Sequence, residues 1–252
     1  APARYSVGRV NGMREPAKTI PTGVADFDSI IKGGFPAGSV ILLVGDLGAG
    51  QTEFALTSAA KLAMVKERPD SAPFILGAGK DSRLPDKICY ITFSRSREEV
   101  LAELEAAFNQ DFYGAFERTV QFRDFSTAYF RKTLVPRSWT GESTSIFSSD
   151  GNNENVLEGL VNYLDEMAPN SMIIIDSLTD LVVSANIEIA DLVAVMRGMQ
   201  RVAKRWGGII YLVLTNNVLD EKKQRMIMDS VDGSLVFEWS RYINSSKRQR
   251  YI

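Results

Sequence analysis

Val40-Ile41-Leu42-Leu43-Val44-Gly45-Asp46-Leu47-Gly48-Ala49-Gly50-Gln51-Thr52 is the stretch on which the fold turns. Five apolar residues with no polar interruption suit a strand buried on both faces. They run into a glycine, four residues, a second glycine and then Gln51-Thr52. A helix-like run follows. Strand, glycine-rich turn and helix is the context of a phosphate-binding loop, whose frame is Gly-x-x-x-x-Gly-Lys-Ser/Thr. Gly45, Gly50 and Thr52 keep that frame, and Gln51 stands where the lysine belongs.

The backbone of such a loop does much of the binding. Gly48 and Gly50 allow consecutive N–H groups to turn inward, and the following helix adds its positive end. The expected binding residues are therefore Gly45, Asp46, Leu47, Gly48, Ala49, Gly50, Gln51 and Thr52. Gln51 can donate a neutral hydrogen bond but brings no charge. Ser171-Met172-Ile173-Ile174-Ile175-Asp176-Ser177 is an apolar strand ending in an acid, the Walker B form. An Asp176 at the end of that strand and the Thr52 hydroxyl are the expected ligands of Mg²⁺.

The rest of the chain alternates short apolar runs with helical faces. Strands are expected over 40–44, 88–93, 119–122, 172–176, 209–214 and 234–239. Val100, Leu101, Leu104, Ala107 and Phe108 form one helical stripe behind a Ser96-x-x-Glu99 capping box. Val156, Leu157, Leu160, Val161 and Leu164 form a second, and Leu192, Val195, Met196, Met199, Val202 and Trp206 a third. This alternation predicts a doubly wound, mostly parallel α/β sheet with helices on both faces. Residues 1–252 are read as one domain. Loops are expected over 71–87 and, as a long insert, over 126–153, where Phe130, Trp139 and Phe147 offer aromatic surface beside Phe125 and Tyr129.

Composition narrows the chemistry. The chain has no histidine and one cysteine, which removes Ser-His and Cys-His nucleophile pairs and His-ligated zinc. Twenty-nine basic against 31 acidic residues leave a net charge of −2, so charge gives no argument for a nucleic-acid or membrane partner. No apolar run approaches the ~18 residues of a membrane span. With a single cysteine and no leader-like run after Ala1-Pro2-Ala3-Arg4, the expected compartment is the cytoplasm.

Thr22-Gly23-Val24-Ala25-Asp26-Phe27-Asp28 and Gly33-Gly34-Phe35-Pro36-Ala37-Gly38-Ser39-Val40, leading into the loop, resemble RecA-superfamily P-loop ATPases. The likeness is greatest to the KaiC-like branch common in archaea. Ile175-Asp176-Ser177-Leu178-Thr179 is similar to that branch's Walker B strand and Leu214-Thr215-Asn216-Asn217 to its sensor strand. Ser230-Val231-Asp232-Gly233 is similar to the segment before its last strands. The likeness runs from about Pro21 to Phe237. It implies a RecA-like fold, ATP or ADP with Mg²⁺ as cofactors, and assembly with copies of itself, as in a hexameric ring. It also implies a place in signalling or regulation.

Two departures carry the functional reading. The family's strand after the P-loop helix ends Phe-Glu-Glu, and a glutamate there activates water. Here the residues are Phe93-Ser94-Arg95. A lost general base typically costs about 10²–10⁴ in rate. A lost charge-assisted hydrogen bond, such as the lysine's, costs about 1.5–3 kcal/mol. The expectation is a nucleotide-binding regulator that hydrolyses ATP very slowly or not at all, with Arg95 as a candidate phosphate clamp in place of the lysine. One alternative is an active ATPase with relocated groups, for which Glu98 is the candidate catalytic residue. Another is a nucleotide-independent scaffold or recombination-type protein that binds protein partners, or DNA through Lys222, Lys223 and Arg225 in an expected loop after the Leu214 strand. The basic tail Arg241, Lys247, Arg248 and Arg250 resembles part of a subunit contact.

Overall fold

A computed structural model describes residues 19–130, 133–136, 139, 155–184, 187–241 and 248–252. Strand β1 (Thr19–Ile20) pairs antiparallel with β2 (Phe35–Pro36), and helix α1 (Ala25–Ile30) lies between them. Strand β3 (Ser39–Gly45) leads through the P-loop to α2 (Gln51–Glu67). Two 3-10 turns, Pro69–Ser71 and Gly77–Gly79, flank α3 (Ala72–Ile75) ahead of β4 (Ile88–Thr92). Then come α4 (Arg97–Ala107), α5 (Gln110–Thr119), β5 (Val120–Asp124) and α6 (Ser126–Phe130). The chain continues with α7 (Val156–Met167), β6 (Met172–Asp176), α8 (Leu178–Val183) and α9 (Ile189–Trp206). Strand β7 (Ile209–Thr215), α10 (Glu221–Met228), β8 (Gly233–Arg241) and β9 (Arg248–Tyr251) complete it.

The main sheet has seven strands in the order β5-β4-β6-β7-β3-β8-β9. Every pairing is parallel except β8 with β9. Its central strands are apolar along their whole length because both faces are covered. Ile41, Leu43, Tyr90, Ile174, Tyr211 and Val213 face α2, α4 and α5, while Val40, Leu42, Ile91, Ile173, Leu212 and Leu214 face α7 and α9. Small residues Ala55, Ala59, Ala60 and Ala63 let α2 settle closely on the sheet.

All six expected strands are present, within two residues at each end. The Ser96–Glu99 capping box forms as the sequence predicts, with both reciprocal bonds. Three expectations need correction. The 71–87 stretch is partly helical, through α3 and the Gly77–Gly79 turn. The 126–153 insert begins as α6, and its remainder, Phe147 included, lies largely outside the described residues. Lys222, Lys223 and Arg225 sit in a helix, α10, because Asp220 caps it by accepting from the Lys223 amide at 2.9 Å.

The segment before β3 is held by one buried acid. The Asp28 carboxylate accepts from the Thr22 amide at 2.9 Å, the Thr22 hydroxyl at 2.8 Å and the Gly23 amide at 3.1 Å. These bonds tie α1 to the strand that precedes it. Close approach fixes Gly34 as well: a Cβ there would sit 2.1 Å from the Ile20 carbonyl oxygen. Asp28→Ala leaves two amides and a hydroxyl without their acceptor, and should cost about 2–4 kcal/mol in denaturant unfolding. A change within about 0.5 kcal/mol would show that solvent takes over the acceptor's role.

Candidate functional site: a P-loop without its lysine

The loop leaves β3 at the centre of the sheet. Gly48 (φ +72°) and Gly50 (φ +121°) take backbone conformations that side-chain-bearing residues avoid. The Ala49 amide turns back onto the Asp46 carbonyl at 2.9 Å, which closes the loop. A helix leaves its first amides without acceptors of its own, and α2 begins at the end of the loop. Thr52 is half-buried in that first turn.

Gln51 is nearly buried, and its side chain folds under the loop. The amide nitrogen donates to the Gly45 and Asp46 carbonyls, each at 3.2 Å. The amide oxygen is also buried and has no hydrogen-bond partner. Gly45 is needed for this arrangement, since a Cβ there would come within 2.8 Å of that oxygen and 2.7 Å of the Phe237 Cβ. Gln51 thus supplies the tether a lysine could supply, without its charge.

Neighbouring strands brace the loop from outside. The Asn216 amide donates to the Gly45 carbonyl at 2.8 Å, and its side chain donates to the Asp46 carboxylate at 3.0 Å. Gln224 of α10 holds Asn216 in turn, at 2.9 Å. The Trp239 indole N–H donates to the Leu47 carbonyl at 3.3 Å, and its ring lies over Gly48. Leu47 itself is exposed.

Asp176 ends β6, and β7 alone separates that strand from β3. At about 4.8 Å per strand, β3 and β6 stand ~10 Å apart. The Asp176 carboxylate is only 5% exposed and is already partnered. Its Oδ2 accepts from the Tyr90 hydroxyl at 2.7 Å and from the Arg95 guanidinium at 3.1 Å. The second arm of that guanidinium pairs with Glu103 of α4. Burial raises the Asp176 carboxyl above its ordinary value, although the Tyr90 hydrogen bond and the Arg95 charge pull the other way. Burial, reinforced by the Asp176 charge, also pushes the Tyr90 phenol far above its usual range, so it remains a donor.

Arg95 therefore lies on Asp176, and strand order gives the reason. From β4, Asp176 is one strand away and β3 is three, or ~14 Å, beyond an arginine's reach to the loop itself. This arrangement does not fit a divalent cation at Asp176. A guanidinium and a phenolic donor already share Oδ2, and the positive charge repels a second cation. Among the described residues no three Asp, Glu, Cys or His side chains gather as a metal site.

Glu98 is exposed in the first turn of α4. In α10, Lys223 pairs with Asp220 at 3.1 Å and Arg225 with Glu221 at 3.7 Å, so neighbouring acids offset the basic run. Arg248 and Arg250 lie on the edge strand β9, antiparallel to β8. Phe125 packs in the core against Phe93 and Tyr163, while Trp139 is exposed.

The family profile described as "ATPase: KaiC" matches residues 20–69, the stretch from β1 through the P-loop to the end of α2. A KaiC-like protein from the hyperthermophilic archaeon Pyrococcus horikoshii OT3 has a similar structure, with a TM-score of 0.60 and 18% identity. The match covers 94% of this chain and 87% of that one. The chain has the KaiC-like fold of the RecA superfamily of P-loop ATPases. The flagellar accessory protein FlaH of Methanocaldococcus jannaschii is also similar, with a TM-score of 0.53 and 15% identity over 89% of this chain and 81% of its own. No curated protein matches the chain.

Within this KaiC-like fold, sequence reasoning missed Tyr90, Glu103 and Trp239 as site residues. Tyr90 had a legible signal, being two residues before Thr92, which pairs with Asp176, and so on the same face of the sheet. Glu103, eight residues after Arg95 in a helix stripe of mixed character, had none.

Tyr90→Phe should cost about 1–2 kcal/mol and Arg95→Ala about 1–3 kcal/mol in denaturant unfolding. Both donate to one oxygen, so the double variant should depart from additivity by about 0.5 kcal/mol or more. Strict additivity would mean that the two donors act on Asp176 independently.

Proposed function

We propose that this chain binds ATP or ADP through its P-loop and hydrolyses ATP very slowly or not at all. The observation that carries the reading is the paired substitution at an otherwise formed loop. Gln51 is tethered where a lysine's charge belongs, and Asp176 is neutralised by Arg95 and Tyr90. The loop amides and the positive end of α2, which draw phosphate by geometry, are retained. What is missing is the charge that stabilises a transferring phosphoryl group and a carboxylate beside it to activate water.

Such a site suits regulation. A nucleotide that binds one assembled state better than another shifts the population towards it without being cleaved. We place the chain as a subunit of a homo-oligomer, a ring of the KaiC type, in which bound nucleotide favours the assembled state. Support for assembly comes from the fold it shares with KaiC-like proteins. A working ATPase would need a carboxylate near the phosphates. Glu98 is exposed, and Glu103 is engaged with Arg95.

Titration calorimetry of ATP into the chain and into Gln51→Lys tests the reading. The wild-type chain should bind, and the lysine variant should bind roughly ten- to two-hundred-fold more tightly. Phosphate release should be negligible in both. Steady phosphate release by the wild-type chain, abolished by Asp176→Ala, would favour a functioning ATPase instead.

A further inference from the structure

We propose that the Arg95 guanidinium takes the place of the divalent cation at Asp176, so that this P-loop binds a nucleoside di- or triphosphate free of Mg²⁺. The proposal rests on the nucleotide-binding reading above and adds the ionic form of the ligand.

The geometry at Asp176 points this way. A Mg²⁺ ion needs carboxylate or water oxygens at about 2.0–2.1 Å in near-octahedral order. Oδ2 of Asp176 instead takes a phenolic hydrogen at 2.7 Å and a guanidinium at 3.1 Å. Glu103 grips the guanidinium from the other side, so the group is fixed at two points. Arginine has five N–H donors, and these two contacts leave the remainder for another acceptor. The side chain keeps 29% exposure, so part of it remains open to solvent.

Position supports the same conclusion. Phosphates seated on the loop at the end of β3 would extend across β7 towards β6, and Asp176 lies ~10 Å from β3 by strand spacing. Arg95 is beyond reach of the loop itself, but on the far side of Asp176 it stands where the outermost phosphate of such a chain would arrive. A planar guanidinium pairs well with two phosphate oxygens, and it keeps its charge at any working pH. The cation that other P-loop sites recruit from solution is here part of the chain.

The test is calorimetric titration of ADP, and of a non-cleavable imido analogue of ATP, into the full chain. It is run in excess MgCl₂ and in excess EDTA at matched ionic strength. The wild-type chain should give equal affinities in the two media. Arg95→Ala frees Asp176 for a metal, so its affinity should fall in EDTA and recover about tenfold or more with Mg²⁺. Arg95→Gln, which removes the charge but keeps a polar side chain, serves if the alanine variant does not fold. Its affinity should also become Mg²⁺-dependent. Wild-type binding that strengthens about tenfold or more with Mg²⁺ would overturn the proposal while leaving nucleotide binding intact. So would Mg²⁺-independent binding by either folded variant. No binding by the wild-type chain in either medium would reject the nucleotide-binding reading itself, and this proposal with it.

Discussion

A carboxylate removed from water must find donors or a cation, and Asp176 finds both on its neighbouring strand. At 5% exposure, an unpartnered anion there would weigh heavily against the folded state. Tyr90 from the same face of β4 and Arg95 from just beyond it meet that need. The parallel pairing of β4 with β6, which sets Thr92 opposite Asp176, fixes the distance at which they can do so. Strand order thus decides the character of the site. The same pair that lets the sheet bury Asp176 occupies its Oδ2.

The P-loop is altered in the same direction. Its backbone is bent as phosphate binding requires, and it is braced by Asn216 and Trp239 from β7 and β8. Beneath it, Gln51 preserves the internal tether and gives up the charge. The oriented amides and the end of α2 act as fixed partial charges, which favour bound phosphate without selecting a cleavage transition state. On the proposed reading, ground-state binding survives where catalysis loses its means. Among the described residues the buried Gln51 oxygen has no hydrogen-bond partner.

Much of this was legible in the sequence. Parallel strands covered on both faces write themselves as unbroken apolar runs, which is why β3, β4, β6 and β7 stand out. The spacing of Gly45, Gly50 and Thr52 marked the loop between β3 and α2, and Asp176 the end of β6. Helix α5 was less visible because Gly114 interrupts a short helix that runs straight into β5, although Asn109 caps it by accepting from the Phe112 amide. Helix α10 is so charged that it reads as a loop until the Asp220 cap is noticed. Strand β9, Arg248–Tyr251, lacks an apolar pattern and exists through its pairing with β8. The partner of Arg95 was illegible for a different reason. Whether a cation after β4 meets the P-loop or Asp176 depends on which strand lies next to β4, and no local pattern encodes that.

The central claim is that the site holds a nucleotide it does not cleave. Phosphorus NMR of ATP at one equivalent per chain reads both halves at once. The account predicts phosphate resonances shifted or broadened by binding, with no growth of inorganic phosphate over many hours. Resonances indistinguishable from free ATP would contradict the binding, and a steady rise of inorganic phosphate, lost in Asp176→Ala, would contradict the absence of cleavage.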